Sequence, residues 1–257
     1  MRVITMNLNG IRSAASKGVG AWLEAQSADI ILLQEVRAEA HQLPALETLG
    51  VHGYHAFWNP SARPGYSGVG ILSKLEPVSV TTGFGSTEFD PEGRIITADF
   101  GAFKAVSAYF PSGSSSAERQ EAKYRFLEEF APFLERLRVA GEVVLGGDLN
   151  IAHHKVDLKN WRSNQNASGF LPEERAWMTR TLETGWHDVV RQHVGAETEI
   201  YSWWSNRGRA RENNVGWRID YQLSTPALSR VVQHAAIYRD SFFSDHAPVT
   251  VDYNLES

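Results

Sequence analysis

The feature that most constrains this chain is a set of short apolar runs that each end in amides or carboxylates. Val3 to Leu8 reads as a strand with Asn7 and Asn9 at its end. Ile30 to Leu33 runs into Gln34 and Glu35, and Val143-Val144-Leu145 runs into Gly146-Gly147-Asp148-Leu149-Asn150. Runs this short have strand length, and their composition suits strands buried on both faces. A carboxylate at the end of such a strand loses hydration, so it needs a partner, a proton or a metal. The chain is therefore constrained to sheets whose strand ends are polar, with Glu35 either compensated in this way or pointing to solvent from its strand end.

Between the first two runs, Val19 to Gln26 carries apolar residues at helical spacing, which gives a β-α-β start. Further strand-like runs are Val69 to Leu72, Val78 to Thr82, Arg94 to Phe100, Lys104 to Phe110, Trp217 to Leu223 and Pro248 to Tyr253. A helix is expected from the Ser116 region to about Val139, where Tyr124, Leu127, Phe130 and Leu134 recur every three or four residues. Pro172 opens another, to about Glu183. Strands outnumber helices and often follow one another directly, so an α+β sandwich of sheets covered by helices fits better than an alternating doubly wound fold. With 257 residues and 42% hydrophobic content, one domain over 1–257 is expected. Asn59 to Ser67 and His153 to Gly169 resist regular assignment, and loops this long are commonly functional.

Zero cysteines exclude disulfides, thiolate metal sites and a Cys nucleophile. Oxygen ligands favour magnesium, manganese or calcium. The N-terminus enters a strand-like run without a signal region, and no long apolar stretch appears, so a soluble cytoplasmic protein without a membrane span is expected. A net charge of -5 argues against general affinity for nucleic acid, although a carboxylate-built centre contributes to it. Local basic clusters stand at Arg12 and Lys17; Arg119, Lys123 and Arg125; Lys155, Lys159 and Arg162; and Arg207, Arg209 and Arg211, each read first as a solvated face. Taken singly, Asn7 and Asn9 fit turn chemistry as well as one face of a strand. Asp148 with its glycines fits a cap or a catalytic acid, and Asp220 and the Asp245-His246 pair fit structural roles equally.

In order along the chain, however, stand Asn7-Leu8-Asn9-Gly10-Ile11-Arg12, Leu33-Gln34-Glu35, Gly65-Tyr66-Ser67-Gly68-Val69, Gly147-Asp148-Leu149-Asn150, Ser168-Gly169-Phe170, Val215-Gly216-Trp217-Arg218-Ile219-Asp220-Tyr221 and Ser244-Asp245-His246. This series resembles the exonuclease III class of AP endonucleases, within the endonuclease/exonuclease/phosphatase superfamily that includes DNase I. The resemblance spans nearly the whole chain. It implies a four-layer α/β/β/α sandwich, a magnesium cofactor that manganese can replace, and a duplex DNA partner carrying an abasic site or a blocked 3′ end. A monomer is expected.

By the same resemblance Glu35 binds the metal with Asn7 and Asp245 near it, Asp148 activates the attacking water, and Asn150 orients the nucleophile or phosphate; Asp148 and Asn150 also count among the candidate metal neighbours. Asp220 would hold His246, and His246 and Tyr109 would contact the scissile phosphate. Arg12, Tyr66, Gly68 and the segment from Asn164 to Phe170 would face DNA, with Trp204 and Trp217 walling a pocket for a base-free sugar; core packing is the competing role for Trp203, Trp204 and Trp217. The chain departs from the family pattern at Ser112 and Ala167, where many members carry Asn. The expected activity is incision 5′ to abasic sites with 3′-end trimming. Its rivals are a dedicated 3′-5′ exonuclease or 3′-phosphatase, a catalytically silent regulator of the catabolite repression control type, and hydrolysis of phospholipid or inositol phosphate.

Overall fold

Side-chain alternation along the strands decides which face each residue meets. The computed structural model describes residues 1–43, 49–240 and 242–255. Its strands are β1 (Arg2–Asn7), β2 (Ile30–Gln34), β3 (His55–Asn59), β4 (Val69–Ser73), β5 (Ser79–Thr82), β6 (Ile95–Asp99), β7 (Lys104–Tyr109), β8 (Val143–Asp148), β9 (His187–Asp188), β10 (Asp220–Ser224), β11 (Val232–Ile237) and β12 (Val249–Tyr253). They form two six-stranded sheets, ordered β11-β12-β1-β2-β4-β3 and β5-β6-β7-β8-β10-β9. The β1–β2 and β7–β8 pairs are parallel, as the helical crossovers between them require.

On β1 and β2, Val3, Ile30 and Leu32 face the second sheet, while Ile4, Met6, Ile31 and Leu33 face the other way. That outer face is covered by α1 (Ile11–Ser16) and α2 (Val19–Gln26), through Ile11, Ala14, Val19 and Leu23. The second sheet turns Val144 inward and Val143 and Leu145 outward, against α3 (Ala117–Ala140) and α4 (Pro172–Glu183). The layers run helix, sheet, sheet, helix. The shorter helices α5 (Val189–Val194) and α6 (Pro226–Arg230) pack Val189, Val190 and Leu228 into the layer between the sheets.

The expected elements are present with ends shifted by a residue or a few. The largest shift is in the run from Trp217, where β10 begins only at Asp220 and Trp217 instead bridges Leu158 and Trp203. Strands β3 and β11 lack a sequence signature because β3 is partly exposed throughout and β11 carries a register shift between Val232 and His234. Among the described residues no helix is long and apolar enough to cross a membrane.

The long 153–169 segment is anchored from within by charge. Asp157 is fully buried and accepts hydrogen bonds from Arg218 Nε at 2.6 Å and from Arg191; Arg218 also pairs with Asp188 at 2.8 Å. Burial would raise the pKa of Asp157, but Arg218 and Arg191 outweigh it and hold the carboxyl well below the usual range. Asp157 therefore contributes stability in full above its unfolded pKa of about 3.9, and loses it as pH falls from there toward the lowered folded value. Arg218→Met is expected to cost about 3–5 kcal/mol in chemical denaturation at neutral pH, because it leaves a buried carboxylate short of its main partner. The loss should shrink as pH drops below 4, and a loss independent of pH would contradict the anchor.

Candidate active site

The inward-facing row of each central strand changes from apolar to polar toward one end of the sandwich. On β1 it reads Val3, Thr5, Asn7; on β2, Ile30, Leu32, Gln34; on β8, Val144, Gly146, Asp148. Midway, Gln34 donates to Ser107 Oγ at 2.9 Å and to Thr5 Oγ1 at 3.1 Å, which joins the sheets through satisfied polar groups. Gly146 permits the close approach, since a Cβ there would lie 2.7 Å from Leu32 and 2.9 Å from Thr5. At the end of this row Asp148 stands in register with Tyr109 of β7 and Asp220 of β10.

Here the sheets part into a cleft of about 710 Å³. Asn9, Glu35, Tyr109, Asp148, Asn150, Asp245 and His246 line its floor. Asn9, Glu35 and Asn150 all adopt left-handed backbone (φ 47°, 48° and 51°), each just beyond a strand end. Such a conformation is costly outside glycine and turns the chain sharply. Backbone bonds from Gly10 to Glu35 O and from Val36 to Gly68 O hold two of these turns.

Asn7 donates from Nδ2 to Glu35 Oε1 at 2.8 Å and to Asp148 Oδ2 at 2.9 Å. Asp148 Oδ1 accepts the Asn150 backbone N–H at 2.9 Å. His246 Nδ1 faces Asp220 Oδ2 at 2.9 Å, and its Nε2 lies 3.8 Å from Asp148 Oδ2. Asp220 is steadied in turn by the Ser202 hydroxyl at 2.6 Å. Burial raises the Asp148 pKa, reinforced by the Asp220 and Glu35 charges and opposed by His246. Burial works against charge on His246, yet Asp220 and Asp148 outweigh it and raise its pKa, so the imidazole is held as a cation. Burial and then the Glu35 charge push the Tyr109 phenol well above its ordinary value against the pull of Arg94. It stays a proton donor.

Glu35, Asp148 and His246 bring ligand-type atoms within 4.8 Å of one another. Glu35 Oε2 is buried and is ion-paired with the guanidinium of the half-exposed Arg37. With His246 held as a cation, the adjacent carboxylates of Glu35 and Asp148 are the ligand groups of this cluster, and carboxylate oxygens suit a hard divalent cation. Asp245 sits one step aside, with Oδ1 accepting from Asn9 at 2.8 Å and Oδ2 from Trp203 Nε1 at 3.0 Å. Burial would raise its pKa, but His246 and these donors lower it.

Several sequence expectations need correction. Asn7 and Asn9 do not share a strand face, because β1 ends at Asn7 and Asn9 turns left-handed. Asn7 Oδ1 accepts the Asn9 N–H, so the group that Asn7 turns to the carboxylates is a donor and not a metal-binding oxygen. Trp204 does not wall the cleft: it is buried against Tyr201, Ala210 and Ala247, and its Nε1 donates to Asn214. Trp203, Trp217 and Ile219 form the wall instead. Arg12 is exposed outside the cleft, and Asn164 donates to the Asn160 carbonyl while Asn166, Ala167, Ser168 and Gly169 line the cavity. Tyr66 accepts from Arg94 at 2.7 Å and from Arg119, and Gly68 supplies a carbonyl to Val36 from left-handed backbone. Ser112 and Ala167, the departures from the family pattern, both face the cleft. Lys123, read as part of a solvated face, is fully buried. Ser202 carries no signal in the sequence, and for Trp203 nothing separates cleft from core, since both lie outside regular strands where alternation has no phase.

Comparison with known proteins agrees with this geometry. Residues 4–246 match the Endonuclease/Exonuclease/phosphatase family. The chain is 38% identical over 257 residues to an exodeoxyribonuclease of Bacillus subtilis, covering 99% of this chain and 100% of that one. It is 38% identical to the DNA repair nuclease APEX1 of Danio rerio, covering 98% of this chain and 81% of the relative. Among solved structures, an AP endonuclease from Archaeoglobus fulgidus matches with a TM-score of 0.91 at 28% identity, over 99% of this chain and 100% of that one. A 3′ phosphatase from Neisseria bound to a product DNA hairpin also gives 0.91, at 27% identity over 99% and 100%. Motifs, fold and likeness over the full length agree: the chain belongs to the exonuclease III class of the endonuclease/exonuclease/phosphatase family.

Proposed function

We propose that this protein incises duplex DNA 5′ to an abasic residue and trims blocked 3′ ends at the same centre, using magnesium held at Glu35. The observation that carries the reading is the buried Asp148–His246–Asp220 chain lying beside Glu35 and facing an apolar wall of Trp203, Trp217 and Ile219. Relatives named as AP endonucleases and exodeoxyribonucleases, and a structural neighbour that is a 3′ phosphatase, support it.

A phosphodiester is an anion, so attack by water needs a base and a means of offsetting charge on the phosphoryl oxygens. Glu35 would hold the magnesium, and the ion would supply Lewis acidity that offsets charge on the phosphoryl oxygens. Asp148 takes the proton of the attacking water as the water oxygen bonds to phosphorus and the bond from phosphorus to the 3′ oxygen breaks, that oxygen leaving with a proton from solvent; its raised pKa makes Asp148 a stronger base than an exposed aspartate. His246 is held as a cation by Asp220 and donates from Nε2 to the phosphate. Tyr109 keeps its proton and donates a further hydrogen bond. Asn150, tied through its side-chain amide to the Phe110 carbonyl at 3.0 Å, fixes the water and the Asp148 carboxylate relative to each other.

The apolar wall supplies the lesion preference. An abasic nucleotide has no base to unstack, so turning its sugar against Trp203, Trp217 and Ile219 costs little, whereas an intact nucleotide must break stacking and pairing first. A regulator that only binds nucleic acid has no use for the buried acids, whose desolvation costs stability with no chemistry in return. Of the residues expected to meet DNA, the wall and the neighbouring loop bring Trp217, Asn166, Ala167, Ser168 and Gly169 to the cleft, and phospholipid hydrolysis has no counterpart for them.

Two outcomes test this. Wild-type protein with magnesium should cleave a duplex carrying an internal abasic analogue, release a 3′-phosphate at a nick, and lose both activities with chelator; Asp148→Asn and Glu35→Ala should each cost about 10²–10⁴-fold in kcat. Cleavage of 3′-ended substrates alone would remove the abasic-site reading, and no cleavage of any would favour the regulator. Asp220→Asn removes the main charge that raises His246, so the alkaline limb of the kcat/KM profile should move to lower pH; an unmoved limb would contradict the cationic role of His246.

A further inference from the structure

The mechanism leaves unused a fully buried ion pair directly behind the cleft. Lys123 of α3 and Glu174 of α4 are both 0% exposed and meet at 2.6 Å. We propose that this pair is the positioning device that fixes Asn150 and the 166–171 wall of the cleft relative to each other, so that Lys123 and Glu174 act on catalysis through backbone groups they hold. The inference rests on the nuclease reading given above.

The bonds on each side of the pair carry the argument. Lys123 Nζ donates to the backbone carbonyl of Asn150 at 2.7 Å. Asn150 is the left-handed residue whose own N–H holds Asp148 Oδ1, so Lys123 holds the next peptide unit, on the other side of the Asn150 Cα from the bond to the base. Glu174 Oε2 accepts the N–H groups of Gly169 at 2.7 Å and Leu171 at 3.0 Å, and its Oε1 accepts from Gln120 at 3.2 Å. Gly169, Leu171, Gln120 and Asn150 all line the cleft. The two grips meet tightly: a Cβ on Gly169 would lie 3.0 Å from Asn150 O and 3.3 Å from the Trp217 ring. The Ala152 N–H bond to the Gly169 carbonyl at 2.7 Å joins the two segments directly, and the ion pair holds each of them from behind, at Asn150 O and at the Gly169 and Leu171 N–H groups.

Stability alone does not account for such a pair. Burying two charges loses hydration that their attraction barely repays, and apolar or neutral replacements of similar volume commonly fold as well or better. Lys123 and Glu174 touch no reacting atom, so they are positioning residues. Misplacing a reacting group by about 1 Å from such a distance costs on the order of 10²-fold in rate.

The test is the double variant Lys123→Met with Glu174→Gln, in the full chain. It removes both charges and the bond to Asn150 O while keeping an oxygen for the Gly169 and Leu171 N–H groups. The variant is expected to unfold cooperatively near the wild-type temperature, to keep KM for abasic duplex within about three-fold, and to lose about 10–100-fold in kcat. A folded double variant with wild-type kcat, or one whose loss lies in KM alone, overturns the proposal. Should the double variant not fold, Glu174→Gln alone decides by the same split, because a neutral amide weakens the hold on Lys123 and so on Asn150. Wild-type protein run beside them separates the questions: inactive wild type defeats the nuclease reading, and active variants defeat only this inference.

Discussion

Asp148 is a carboxylate at the end of a row of side chains that otherwise forms the layer between two sheets, and much of the surrounding structure compensates for placing it there. The Asn7 amide and the Asn150 N–H satisfy its two oxygens, and the His246 imidazolium offsets its charge. That imidazolium is itself buried and exists because Asp220 stands behind it. Remove any member and another is left as an unpaired group in a low-dielectric site, which costs more than the lost bond.

This dependence reaches outward through the backbone. Gly146 lets the sheets close beneath Asp148, and Gly147 could not carry a Cβ, which would lie 1.8 Å from the Ala108 carbonyl oxygen. Left-handed turns at Asn9, Glu35 and Asn150 then take the chains away from the strand ends while leaving their polar side chains at the cleft. Each such turn stores strain that the sandwich must hold in place. The Arg218–Asp157 anchor and the Lys123–Glu174 pair fix the loops on one side, so a cleft built largely from irregular backbone is bounded by buried charge.

What the sequence made legible follows the same physics. Asn7, Glu35, Asp148 and Asp220 stand at or beside strand ends, where a period of two and an unexpected polar residue in an apolar run are visible in one dimension, whereas His246 lies before β12 and is legible only through the ordered motifs. Trp203 and Trp204 were not separable that way. They are consecutive on a segment held by isolated bridges, so nothing local says that Trp203 meets the cleft while Trp204 packs against Tyr201. Lys123 is hidden by its neighbours, the half-buried Arg119 and the exposed Arg125, because a helix face that buries one lysine among cations looks like a basic surface until its partner on α4 is known. The roles of Asn7 and Asn9 depended on the single left-handed residue that separates their faces.

If the buried cluster acts as one unit, its members cannot contribute independently. The most direct measurement is a double-mutant cycle on kcat for abasic duplex with Asp148→Asn, His246→Asn and the combined variant, at fixed pH and saturating magnesium. Non-additivity is expected, with the double variant scarcely slower than the worse single one, as for groups that act together on one transition state. Losses that multiply in full would show two separate contributions and contradict the account.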